Sequence, residues 1–118
     1  MIKRKESMQV DVHQDFLGGK GTLKNTHFLE KENAADSGRL FSKSLLSPGS
    51  SIGAHTHQGD FEVYYILSGK ALVTDNGKEH ILEAGDAIHT PNGSSHSIEN
   101  VGEKDLEYIA LILFDQQG

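Results

Sequence analysis

The chain has 118 residues, 36% of them hydrophobic, with no cysteine and a net charge of −6 when the histidines are neutral. That length supports one domain around one core. The acidic balance excludes a nucleic-acid footprint of clustered Lys and Arg, and the missing cysteines exclude disulfides, thiolate ligands and a Cys nucleophile. In chain order, residues 1–20 are largely polar, and Lys3-Arg4-Lys5 reads as a solvated tail. This segment is expected to be flexible or to pair as a strand in a dimer, leaving the domain proper over 21–118. GGKGT (18–22) lacks the Gly-x4-Gly-Lys-Ser/Thr spacing of a phosphate loop and reads as a Gly-rich strand entry.

From there, short apolar or alternating runs between turn formers predict strands over 26–30, 39–47, 51–57, 62–67, 71–75, 78–82, 87–89, 96–99 and 106–114. Asn76-Gly77 is the clearest hairpin signal, because both central positions of a type I′ turn need φ > 0. No helical periodicity exceeds about two turns. Many short strands with regular turns predict an all-β antiparallel sandwich or barrel. VYYIL (63–67) and YIALILF (108–114) are apolar on both faces and so need cover on both. The expected cover is a second copy, a homodimer. No apolar run nears the ~20 residues that span a bilayer, and no signal-type apolar core opens the chain, so a cytoplasmic protein without a membrane partner is expected.

One stretch carries chemistry. In GAHTHQGDFEVYYILSG (53–69), His55 and His57 are two apart, so on a strand both imidazoles point to one side. Glu62 has the wrong parity for a continuous strand, but the turn at Gln58-Gly59-Asp60 resets the register and lets it face the same interior. Parity from Glu62 then directs Tyr64 and Ile66 inward. A second segment, GDAIHTPNGSSHSIEN (85–100), supplies His96 at the start of a strand. Three imidazoles and a carboxylate make a mixed nitrogen–oxygen site of the kind that suits divalent first-row metals.

These residues fall on two spaced motifs. Gly49, His55, His57, Glu62 and Gly69 match Gly, five residues, His-x-His, three or four residues, Glu, six residues, Gly. Gly85, Pro91, Gly93, His96 and Asn100 match Gly, five residues, Pro-x-Gly, two residues, His, three residues, Asn. With all ten positions in register, the chain resembles the cupins. The resemblance implies a small jelly-roll β-barrel in which His55, His57, Glu62 and His96 bind a metal, with the glycines and Pro91 architectural. It implies a divalent transition metal (iron, manganese, nickel, copper or zinc) without choosing among them. It also implies a small polar ligand inside the barrel, undergoing isomerase, lyase, decarboxylase or dioxygenase chemistry, or else bound without turnover as in a sensor or carrier.

Around that set, Tyr64 and Ile66 are candidate pocket residues. His89, two residues before Pro91, is a candidate for supporting a ligand or touching substrate. His13, His27 and His80 belong to no motif and are expected at the surface. Arg39 and Lys43 share a strand face by parity, and would meet an anionic substrate only if that face turned inward.

Overall fold

The computed structural model describes residues 1–115 and forms two antiparallel sheets packed face to face as a jelly-roll sandwich. The strands are β1 (Val10–Gln14), β2 (Thr22–His27), β3 (Gly38–Leu46), β4 (Ser51–Thr56), β5 (Asp60–Ser68), β6 (Lys70–Asp75), β7 (Lys78–Glu83), β8 (Ala87–Thr90), β9 (Ser95–Asn100) and β10 (Leu106–Phe114). One sheet has the order β1-β2-β3-β10-β5-β8 and the other β4-β9-β6-β7. They are not closed into a continuous barrel. Among the described residues the helical pieces are the 3₁₀ turns Lys5–Ser7 and Phe16–Gly18, and no helix is long and apolar enough to cross a membrane.

The N-terminal segment, expected to be flexible or to pair as a strand in a dimer, supplies a strand within its own chain. β1 pairs with β2 of its own chain, from Val10↔Thr26 to Gln14↔Thr22. Its pattern is inverted: Val10 and Val12 are exposed, while Asp11 and His13 turn inward. A strand with polar groups on its buried face gives no hydropathy signal. β2 likewise begins at Thr22, ahead of the expected Thr26, because Leu23 and Asn25 bury while Lys24 faces water.

The apolar core fills one end of the sandwich. Leu23, Leu46 and Leu106 lie opposite one another across β2, β3 and β10, and they pack with Ile52, Ile66, Val73 and Ile98 from both sheets. Asn100 ties this end together. Its buried side-chain amide donates to the carbonyls of Leu46 and Lys104, both at 2.8 Å, and its oxygen accepts from the Gly102 N–H at 2.9 Å. The β6–β7 hairpin turns on Asn76 and Gly77 at φ 49° and 86°, as that dipeptide requires.

Two β-bulges set the polar end. Across β4 and β9, Ile52 faces Ile98 but His55 faces His96, so β4 carries one extra residue at Gly53-Ala54. Ile52 is buried in the core. Without the insertion, Ala54 and Thr56 would follow it inward and both histidines would face solvent. The second bulge lies between β3 and β10, where Leu113 faces Gly38 and Ile112 faces Leu40. It frees Arg39 from the strand alternation. Arg39 swings to Asp60 and lines the inner cavity, whereas Lys43 stays on the outer face, 3.8 Å from Glu107. The shared face expected for Arg39 and Lys43 is thus broken.

Candidate metal centre

His55 at the end of β4, Glu62 on β5, His96 on β9, and His57 just beyond β4 converge in the polar half of the sandwich. One potential ligand atom from each lies within 4.8 Å of all the others. Their facing atoms are the three Nε2 nitrogens and one carboxylate oxygen. His57 Nε2 lies 3.1 Å from His96 Nε2 and 3.0 Å from Glu62 Oε1; His96 Nε2 lies 2.9 Å from His55 Nε2 and 3.1 Å from Glu62 Oε1. His57, Glu62 and His96 are buried and His55 is partly so.

The opposite ring nitrogens are engaged elsewhere. His55 Nδ1 donates to the Gly53 carbonyl at 2.8 Å, so the bulge that turns His55 inward also fixes its tautomer. His57 Nδ1 donates to Asp60 Oδ1 at 2.7 Å, and His96 Nδ1 meets Thr90 Oγ1 at 2.8 Å. With Nδ1 protonated toward Gly53 and Asp60, His55 and His57 present Nε2 lone pairs to the centre. The Nε2 lone pairs of His55 and His57 face His96 Nε2 and the Glu62 oxygen at 2.9–3.1 Å, an arrangement that needs protons or a cation between these atoms. Anchored imidazoles turned toward one carboxylate oxygen are the donor set a divalent transition metal takes. The residues fit such an ion.

Electrostatics follow from the same contacts. The hydrogen bond to Glu62 raises His57 above the ordinary histidine pKa; burial opposes the shift and Asp60 reinforces it. Burial lowers His55. Burial alone would raise Glu62, but hydrogen bonds from His57 and His96 outweigh it and hold the carboxylate below its usual range. Asp60 is likewise lowered against its burial by Arg39, whose Nε donates to Oδ2 at 2.8 Å, and by His57.

A cavity of about 240 Å³ opens from the cluster, lined by His55, His57 and Glu62 together with Tyr64 and Tyr108. Tyr64 stacks flat on His96 with ring centroids 4.9 Å apart and an interplanar angle of 8°, so it both lines the cavity and packs a candidate ligand. Two expectations for the cavity need correction. Ile66 is sealed in the apolar core and does not line it. His89 points to the outer face, because it lies opposite Val63 on β5, and its ring sits against Phe61 at 5.5 Å. Its neighbour Thr90, sharing a face with buried Ile88, is the residue that reaches His96.

His13 and His27 also depart from expectation. They are partly buried at the cavity mouth, where their Nε2 atoms bracket the Asp11 carboxylate at 2.9 and 2.6 Å. Burial would raise Asp11, but the bond to His27, the charges of both imidazoles and the Asn25 amide hold it below its usual value. Register was the missing signal: β1 and β2 place Asp11 and Asn25 directly opposite each other on the inner face. His80 is exposed on β7. Asp60, which reads as a turn residue, is found by parity alone, since it shares a face with Glu62, Tyr64 and Ile66.

A jelly-roll sandwich with three histidines and a glutamate gathered at its polar end defines a small single-domain protein with a site able to hold a metal. Residues 43–112 match the family model described as a cupin domain, and the chain belongs to the cupins. It is 44% identical over 113 residues to the oxalate-binding protein of Thermotoga maritima, covering 96% of this chain and 93% of that protein. The crystal structure of a predicted oxalate decarboxylase from the same organism superimposes with a TM-score of 0.92 at 43% identity, covering 98% of this chain and all of that one. A polyketide cyclase from Streptomyces resistomycificus shares the fold, with a TM-score of 0.77 at 19% identity over 100% of this chain and 83% of that one.

Proposed function

We propose that this protein uses a divalent transition metal, held by His55, His57, Glu62 and His96, to bind a small chelating carboxylate of the oxalate class. The observation that carries the reading is the convergence of three Nε2 atoms and one carboxylate oxygen on an inner cavity. Iron, manganese, nickel, copper and zinc all suit this donor set. Such an ion supplies Lewis-acid charge to adjacent oxygens of a ligand. Three neutral imidazoles and one carboxylate around a divalent ion leave a net positive centre, which favours an anion. The chain's own residues do the rest. Gly53, Asp60 and Thr90 hold the imidazoles, Arg39 neutralises Asp60 at the cavity wall, and the apolar side chains of Phe16, Leu17, Leu23 and Ile52 limit water. The similarity to a protein named for oxalate binding supports the ligand class.

Turnover is a second reading. Asp11 with His13 and His27 places proton-exchanging groups on the same cavity, as decarboxylation of a bound dicarboxylate would require. Calorimetric titration of oxalate into metal-loaded and metal-stripped protein tests the binding reading. Saturable binding only with metal supports it, and equal behaviour of the two samples contradicts it. Release of carbon dioxide in the same samples separates turnover from holding.

We further propose a homodimer. The outer face of the six-stranded sheet carries Phe41, Val63, Tyr65, Leu67, Ile109 and Leu111, and Tyr65 and Leu67 remain 43% and 38% exposed. That face is apolar enough to need cover.

A further inference from the structure

Opposite the metal cluster, the cavity wall carries a row of polar residues set by strand register. Asp11 faces Asn25, Asn25 faces Ser44, and Ser44 faces Tyr108, across β1, β2, β3 and β10. All four line the cavity. The hydrogen bonds along the row have a direction. Ser44 Oγ donates its only proton to Asn25 Oδ1 at 2.6 Å, and the Asn25 amide turns toward Asp11. Ser42 lies 3.2 Å from Ser44 Oγ and, with Ser44's proton committed, is the donor of that pair.

Tyr108 ends the row beside Ser44 without a well-formed hydrogen bond. Its side chain is 1% exposed, and its hydroxyl makes no well-formed hydrogen bond among the described residues; Ser44 opposite it acts on it only weakly, through an oxygen already engaged with Asn25 and Ser42. Across the next strand it faces Ile66, and its ring meets the edge of Tyr64 at 4.9 Å. A buried hydroxyl without a partner is destabilising, and phenylalanine would fill the same space without that penalty. Resting on the proposed carboxylate-binding function, we infer that Tyr108 contacts the ligand, its phenolic O–H donating to an oxygen of the carboxylate held in this cavity. Burial and the Glu62 carboxylate push this phenol far above the ordinary tyrosine range, so it keeps its proton and acts as a donor, not a base. Tyr108 thereby selects a ligand that still offers an acceptor oxygen after its metal-binding oxygens are used.

The test is Tyr108→Phe in the full chain, loaded with manganese(II) and titrated with oxalate beside wild type, with melting of both proteins also measured free of metal and ligand. Loss of one hydrogen bond to a charged oxygen predicts oxalate affinity weakened by about ten- to a hundredfold. Manganese affinity should be unchanged, and the ligand-free variant should melt at the same temperature or higher. Oxalate affinity within twofold of wild type would overturn the assignment. A clear fall in the ligand-free melting temperature would do so too, since it would mean that the hydroxyl has a partner within the protein. Failure of manganese-loaded wild type to bind oxalate would overturn the carboxylate-binding function itself, and this inference with it.

Discussion

Asp60→Asn is the substitution whose effect the structure defines most closely. Asp60 is 6% exposed and accepts two charge-assisted hydrogen bonds, from His57 Nδ1 at 2.7 Å and Arg39 Nε at 2.8 Å. Asparagine keeps the shape but has one acceptor oxygen. If that oxygen serves His57, the new amide N–H₂ faces the Arg39 donor; if it serves Arg39, the His57 anchor is lost. A hydrogen bond to a buried charge contributes about 1.5–3 kcal/mol. The Arg39 side chain is 50% exposed, so water recovers much of its share and that bond is discounted to under about 1 kcal/mol. The expected loss of folding stability is therefore about 1–3 kcal/mol. At the candidate metal site the effect is of similar size. Loss of the group that orients a ligating histidine lowers metal affinity by about 10–100-fold, about 1.4–2.7 kcal/mol. Competition with a fluorescent chelator at neutral pH measures it directly. Metal affinity within twofold of wild type, with an unchanged melting temperature, would show that the Asp60–His57 contact does not organise the site.

Metal affinity should depend on pH through His57. Its pKa is raised in the metal-free protein, so its proton stabilises the fold fully below the unfolded value near 6.5 and that contribution fades as pH rises through the higher folded value. A metal must displace this proton, so affinity should fall by about tenfold per pH unit once pH drops below the folded value, a decline beginning above 6.5. A flat affinity between about pH 7.5 and 5.5 would refute the coupling. Gly53→Ala should destabilise the protein by about 1–3 kcal/mol, because the added Cβ collides with the Leu17 carbonyl oxygen where the Phe16–Gly18 turn packs on β4; thermal melting would reveal it, and an unchanged melting temperature would mean that the turn yields freely. Light scattering should give twice the chain mass at micromolar concentration, and a stable monomer would remove the case for a partner on the outer sheet face.

Much of the fold was legible because most strands bury apolar residues at alternate positions and end at turn formers. The run 106–114 coincides with β10, and Asn76-Gly77 makes the hairpin its residues demand. The His55–His57–Glu62–His96 spacing singled out the residues that the structure gathers. Parity failed where strands bulge. A single extra residue at Gly53-Ala54 decides that the histidines face inward, and another beside Arg39 brings that side chain to Asp60. Neither bulge has a hydropathy signature. The cavity mouth was hidden for a different reason. Asp11, His13 and His27 are polar groups on the inner faces of β1 and β2, and only the pairing of β1 with β2 and of β2 with β3 shows that they enclose the site. His89 stood out as a histidine near Pro91, but the alternation of β8 turns it outward and puts Thr90 on the inner face.

The proposed function requires that the four converging side chains hold a metal. Elemental analysis after dialysis against a mild chelator tests that directly, on wild type, His57→Ala, His96→Ala and the exposed-site control His80→Ala. The expected result is about one divalent transition-metal ion per chain in wild type and in His80→Ala, and little in the other two, with a β-rich circular dichroism spectrum in all four. Equal metal content in wild type, His57→Ala and His96→Ala would contradict it.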